Sequence, residues 1–251
     1  MSIVGKLHYL AIIMVLTLFA VPAMADTPPK QNRMFYANYA LTLSADGTIE
    51  KLEPLGKAHN PLIADFLEKS VRSWKFTPGS IGGVPQRTES ALWLNVEAVP
   101  REDGKFDIVI VDAHTGPFGT DGALTPPSYP TTALQYGHEA VLRLKVTYDS
   151  EGNVTKVERA GKLIARQERY LKPFEIVSFQ AVRKWHFKPE KVGGIGVSAT
   201  VIVPIQFCMQ ETECRSLLRG TEEKEKLARQ LISRVYLGSS QVSIQRTDQL
   251  N

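Results

Sequence analysis

A nine-residue word occurs twice in the chain. Ser70-Val71-Arg72-Ser73-Trp74-Lys75-Phe76-Thr77-Pro78 returns as Ala181-Val182-Arg183-Lys184-Trp185-His186-Phe187-Lys188-Pro189, and each copy is followed at equal distance by a glycine pair, Gly82-Gly83 and Gly193-Gly194. The offset is 111 residues at Trp, Phe, Pro and Gly alike. Four unlike residue types held at one offset mark an internal repeat, so one supersecondary unit has to be built twice.

The surroundings of each copy define that unit. In the first, Phe35 to Leu43 reads as a strand, Ala45-Asp46-Gly47 as a tight turn and Thr48 to Leu52 as the returning strand. In the second, Ala140 to Tyr148, the turn at Ser150-Glu151-Gly152 and Val154 to Val157 do the same. A helix follows. Asn60 is a good N-cap with Pro61 at the first helical position, and Ile63, Phe66, Leu67, Val71 and Trp74 share one face. In the second copy Pro173 opens the helix, and Phe174, Val177, Ala181, Val182 and Trp185 repeat the stripe. Pro78 and Pro189 cannot continue a helix, and an alternating strand closes each copy, Ala91 to Val96 and Val197 to Phe207. The expected fold class is α+β: two tandem β-β-α-β repeats, each an antiparallel sheet covered by one helix. Trp74, Phe76, Pro78, Trp185, Phe187 and Pro189 are then core and turn residues rather than a ligand cage.

The ends of the chain are different. Leu10 to Ala20 is almost wholly apolar and follows Lys6 and His8; Pro22-Ala23-Met24-Ala25 has the small-residue ending of a cleaved secretory signal. The apolar run is short for a bilayer span and no basic flank follows it, so export is expected, with a retained inner-membrane anchor as the alternative. Without residues 1–25 the net charge falls from +4 to +3, too mild and too mixed along the chain to point to nucleic acid. Phe106 to Val111 reads as an extra strand, and a Gly- and Pro-rich stretch from Gly116 to Pro127 as a linker. Thr221 to Leu237 has helical spacing. The expected organisation is a signal at 1–25, a degenerate repeat at 26–112, a linker at 113–127, a second repeat at 128–214 and a helix and tail at 215–251.

Little in the chain suggests catalysis. The histidines His8, His59, His114, His138 and His186 stand at no metal-ligand spacing from one another, from Cys or from paired carboxylates, and His138-Glu139 lacks the second helical His of a zinc protease. Neither a Gly-x-Ser-x-Gly elbow nor a phosphate-cradling loop is present. No enzyme activity, cofactor, metal or small-molecule substrate is expected. The two cysteines, Cys208 and Cys214, lie just beyond the last core strand; in an oxidising compartment they are expected to close a small disulfide loop, with free thiols as the alternative. Arg183, Lys184, His186 and Lys188 form a basic cluster, read either as a solvated face or as a contact for anionic lipid heads or peptidoglycan-associated acids.

The second unit resembles the C-terminal domain of the TonB family. The matching features are Tyr129-Pro130, Ala133, Gly137, the alternation Val141, Leu144, Val146, the Gly152 turn, Val154, Val157, Ala181-Val182-Arg183-Lys184-Trp185, Phe187, Pro189 and the strand Val201 to Phe207. The resemblance is clear over residues 127–208 and weaker over 34–98, which lacks the Tyr-Pro lead-in. It implies a periplasmic module of Gram-negative bacteria that binds envelope or outer-membrane proteins or peptides by adding their strand to its sheet. The expected edge is the final strand, through Val197, Ala199, Val201, Val203 and Ile205, with Pro204 where an edge tolerates it, and a strand that is simply core is the alternative. The family's energy transducers also carry a membrane anchor and a long Pro-rich spacer; the linker here is far too short to cross a compartment. A freestanding binding protein is therefore the expected role, and an energy transducer or accessory for outer-membrane transport is the alternative.

Overall fold

The computed structural model describes residues 32–56, 60–119, 124–161, 164–165, 171–209, 237–238 and 240–246. Its α+β architecture consists mostly of antiparallel ladders. In the first half, β1 (Arg33–Leu43), β2 (Ile49–Leu55), α1 (Pro61–Arg72), β3 (Lys75–Thr77), the short pair β4 (Ser80–Ile81) and β5 (Val84–Pro85), β6 (Thr88–Pro100) and β7 (Phe106–Gly116) follow in order. The second half runs through β8 (Phe118–Gly119), α2 (Thr131–Gln135), β9 (Ala140–Tyr148), β10 (Val154–Arg159), β11 (Ile164–Ala165) and α3 (Leu171–Val182). It continues with β12 (Phe187–Lys188), β13 (Lys191–Val192), β14 (Ile195–Gly196) and β15 (Ala199–Phe207), and two late strands, β16 (Leu237–Gly238) and β17 (Ser243–Gln245), complete the order.

Two sheets carry the structure. In one, β6 pairs with β1 along one edge and with β7 along the other, and β2 flanks β1. In the second, β9 lies between β10 and β15. The strands alternate with period two, so one side of each sheet turns inward. Ala37, Tyr39, Leu41, Leu43, Leu92, Leu94 and Val96 meet Leu67, Val71 and Trp74 from the α1 side. Leu142, Leu144, Val146 and Tyr148 with Val201, Val203, Ile205 and Phe207 meet Phe174, Val182 and Trp185 from the α3 side. Each fully buried aliphatic or aromatic side chain contributes about 1.5–3 kcal/mol, and these two clusters hold the sheets to their helices.

The caps and turns follow from local chemistry. The Asn60 side chain accepts a hydrogen bond from the Leu62 amide at 3.0 Å, with Pro61 at the first helical position. Gly47 and Gly152 both close hairpins with positive φ, +88° and +98°. In each case a Cβ would strike the carbonyl oxygen of the Phe that follows the Trp, at 2.2 Å from Phe76 and 1.8 Å from Phe187. The hairpin glycine is thus demanded both by its φ and by the strand packed against it.

Several expectations shift in detail. The closing strand of the first half is longer than Ala91 to Val96, because β7 adds a full partner and extends β6 to Pro100. Phe66, placed on the apolar stripe of α1, is 40% exposed, while Leu67 and Val71 bury that face. Helix α3 starts at Leu171, so Pro173 sits inside its first turn rather than at its start. The stretch read as a linker is partly ordered as strand: Gly116 ends β7, and Phe118–Gly119 pairs with Phe187–Lys188. The two halves also share a ladder, since Lys191 and Val192 of β13 pair with Glu89 and Thr88 of β6. Residues 1–25 and the helical pattern of Thr221 to Leu237 lie outside the described residues, apart from Leu237 itself, which is in β16.

Candidate functional site

The candidate site is the outer edge of β15. This strand is bound along its whole length to β9 on one side, from Ala199 opposite Tyr148 to Phe207 opposite Ala140. Its other side meets only β16, through Val201 opposite Gly238 and Ile202 opposite Leu237. Beyond Ile202 no strand pairs with that side among the described residues.

Which residues present their main chain to the open side follows from the ladder. The Ala160 amide donates to the Arg143 carbonyl at 2.9 Å, so the main-chain groups of Arg143 face β10, away from β15. Pro204 lies directly opposite Arg143. In an antiparallel pair the two facing residues either exchange both bonds or both turn away, so Pro204 turns its main chain to the outer edge. Ile202 and Gln206 share its parity. The missing N–H of Pro204 therefore costs the β9 ladder nothing and removes one donor from the outer edge.

The same alternation corrects the residues expected to form the edge. Val201, Val203 and Ile205 are buried at 1%, 2% and 6% exposure, with side chains in the core beneath α3 and main-chain groups directed to β9. Ala199 has the same parity and packs partly against that core. Val197 precedes the strand, and its amide donates to the Glu190 carbonyl at 2.9 Å. The outer edge belongs instead to Ile202, Pro204 and Gln206. Period-two alternation in the sequence carries no sign of which parity bonds to which neighbour.

The end of β15 is held firmly. Tyr129 meets Phe174 and Phe207 edge-on, with ring centroids 5.8 Å and 5.5 Å apart, and its hydroxyl donates to the His138 carbonyl at 2.7 Å. The buried Glu139 accepts from the Met209 amide at 2.9 Å. Cys208, next to it, is half-buried, and its expected partner Cys214 lies outside the described residues. At the opposite end the Trp185 indole donates to the Thr125 carbonyl at 2.8 Å, which ties the Pro-rich lead-in to α3. A recess of about 450 Å³ lies there, lined by Thr125, Pro126, Val177, Ala181, Lys184 and Trp185 among others. Phe187 stacks on Tyr148 at 4.9 Å, and burial first and the Glu190 carboxylate second push the Tyr148 phenol above its ordinary range.

The basic cluster is an exposed surface. Arg183, Lys184, His186 and Lys188 all face solvent. Arg183 lies over the Phe179 ring at 5.9 Å and Lys188 over Phe118 at 4.7 Å. Among the described residues, no three His, Cys, Asp or Glu side chains gather as metal ligands would, and no helix is long and apolar enough to cross a membrane.

Sequence reading missed the joint between the halves. Glu190 is 1% exposed. Its carboxylate accepts from the Ser90 hydroxyl at 2.5 Å, the Ser240 hydroxyl at 2.7 Å and the Gln241 amide at 2.9 Å. The one available signal was the residue after the repeated proline, Glu190 in the second copy where the first has Gly79.

Residues 125–209 match the family model described as the Gram-negative bacterial TonB protein C-terminal. The matched stretch begins at the Thr125 carbonyl that holds Trp185 and ends just past β15. The chain is also similar to two proteins titled "Protein TonB" from two strains of Xanthomonas campestris pv. campestris. Each is 30% identical over 86 residues, which is 34% of this chain and 36% of the relative. The chain thus spans about a third of the length of those relatives. No solved structure matches.

Proposed function

We propose that the protein is an exported, non-catalytic TonB-like module of the Gram-negative envelope that binds partner proteins or peptides as an added strand on β15. The observation that carries this reading is the coincidence of the family match at 125–209 with a sheet whose last strand has one side largely open among the described residues. Among the described residues the only strand on that side, β16, pairs through two residues. At about 0.5–1.5 kcal/mol per main-chain bond, so short a ladder yields readily to a longer incoming strand. The edge residues offered are Ile202, Pro204 and Gln206, and selectivity comes from side chains on the strand's outer face.

In this reading the signal is removed after Ala25, the mature chain is periplasmic, and Cys208 and Cys214 close a small loop just beyond the last core strand. Residues 34–98 are a second, degenerate copy of the unit. Support for the copy comes from matched local geometry. The amide of the residue four after each helical Ser70 or Ala181 donates to Val71 or Val182 (Trp74 at 3.1 Å, Trp185 at 3.0 Å), and each hairpin glycine abuts the same Phe carbonyl.

The test is site-specific photocrosslinking in cells. A photoreactive residue at position 206, on the exposed outer edge, is expected to trap an envelope protein through one extended segment identified by mass spectrometry. The same residue at position 156, on the exposed face of β10, is expected to trap none. Equal adducts at both positions, or none at 206, would reject strand addition on β15. N-terminal sequencing decides the export route: a mature start at Asp26 supports the periplasmic reading, and an intact N-terminus supports the anchored alternative.

A further inference from the structure

The first half carries a strand-acceptor groove of its own, and it is filled. β17 pairs antiparallel with β3, with Ser243 opposite Thr77, Ile244 opposite Phe76 and Gln245 opposite Lys75. Val242, just before it, is 5% exposed within the first core, and Ile244 packs against the same cluster. Two anchors hold the ends. Upstream, the Glu190 carboxylate takes Ser240 and Gln241, while Thr115 donates to the Val242 carbonyl at 2.9 Å. Downstream, the Arg246 guanidinium lies over the Trp74 ring at 5.1 Å and donates to the Ile110 carbonyl on β7 at 2.5 Å.

These contacts have the form of peptide recognition rather than of a folded unit completing its sheet. β3 is three residues long, so the ladder supplies few main-chain bonds. Besides the contacts at Ser240, the Gln241 amide and the Val242 carbonyl, the segment presents side chains at alternate positions: aliphatic at 242 and 244, basic at 246. That is the division of labour in strand addition, in which main-chain bonds give affinity and alternate pockets give selectivity. The segment is separated from β15 by more than thirty positions of sequence, from Phe207 to Ser240.

We propose that the groove between β3 and β7 is a second binding site, specific for an extended peptide with two alternating branched aliphatic residues followed at the next alternate position by arginine. Residues 240–246 are its resident ligand in cis and compete with any outside peptide of that pattern. A tethered segment acts at an effective concentration in the millimolar range, so a free peptide is largely excluded until the cis segment is weakened. Apart from the Glu190 anchor, this site lies outside the family match, and it does not depend on the reading of β15.

The test uses the full chain and a labelled synthetic peptide, Ser-Gln-Val-Ser-Ile-Gln-Arg, corresponding to residues 240–246. Val242→Asp in the chain expels the cis segment by burying an unpaired charge; it is expected to raise the peptide's apparent affinity about tenfold or more over wild type. A peptide ending in Ala instead of Arg is expected to lose at least about fivefold of that gain. A cooperatively folded Val242→Asp chain that binds the peptide no better than wild type overturns the proposal. An arm free of variants is amide hydrogen exchange on the wild type. Ladder amides of β17 and β3 are expected to exchange through local opening, about a hundredfold faster than those of β6 and without loss of β6 protection. Equal protection of β17 and β6 would make β17 an integral strand and also overturn the proposal.

Discussion

Replacing Gly152 by alanine tests whether the hairpin turn is built around the strand that follows the tryptophan. The new Cβ would lie 1.8 Å from the Phe187 carbonyl oxygen and 2.8 Å from its carbon, where real contacts stay above 3.0 Å. Either the turn or β12 must therefore move by about 1.2 Å, and the bond from the Phe187 amide to the Gly152 carbonyl, now 2.9 Å, does not survive that shift. A positive φ on a residue with a side chain costs about 1–2 kcal/mol, and a lost buried main-chain bond costs about 1–3 kcal/mol. The total is about 2–5 kcal/mol, a large share of a stability of roughly 5–15 kcal/mol. With a urea slope of about 2 kcal/mol per molar, the midpoint followed by tryptophan fluorescence should fall by about 1–2.5 M. Gly194→Ala is the control: its φ is +82°, and a Cβ there meets nothing within 4 Å. It should cost only the conformational part, about 1–2 kcal/mol. Equal shifts for the two variants would refute the argument, because the clash with Phe187 would then contribute nothing.

Three further outcomes follow from the same contacts. Trp185→Phe loses the bond to Thr125 as well as volume, whereas the buried Trp74 indole N–H has no acceptor among the described residues; Trp74→Phe should therefore be about 1–3 kcal/mol less destabilising in denaturant titrations. Glu190→Ala leaves Ser90, Ser240 and the Gln241 amide without their acceptor and should cost about 2–4 kcal/mol by the same assay, with Glu190→Gln losing less because it retains one carbonyl oxygen. In the β1–β2 turn the Asp46 carboxyl is held down to about 2, first by the Ser44 hydroxyl and then by the Thr48 amide. Its folded value lies below the unfolded one, so its contribution is complete above about pH 4 and is lost as pH falls toward 2; the acid limb of the stability profile should flatten in Asp46→Asn.

How much was legible depended on range along the chain. The hairpin glycines, the Asn60 cap, and the alternation of Val201, Val203 and Ile205 are local facts, set by φ, by a side chain reaching its own helix amides and by the period-two pleat. They were readable one residue at a time, as were the buried tryptophans at the ends of both helices. The resemblance of 127–208 to the TonB C-terminal domain was legible for the same reason, being a string of such local patterns in order. The outer edge was not, because the parity that faces outward depends on which neighbour Arg143 bonds to, and Ala160 supplies that answer.

Composition and periodicity were enough to indicate an α+β fold of mostly antiparallel strands and most of the apolar positions that fill it, because apolar patterning and turn chemistry act over a few positions. Only the tertiary structure decided that Glu190 receives Ser90 and Ser240, that β13 joins the sheet of β6, and that residues 243–245 lie on β3. Those contacts join residues 50 to 170 positions apart, and main-chain hydrogen bonding, common to all residue types, leaves no mark in the sequence to say which distant strand will pair with which.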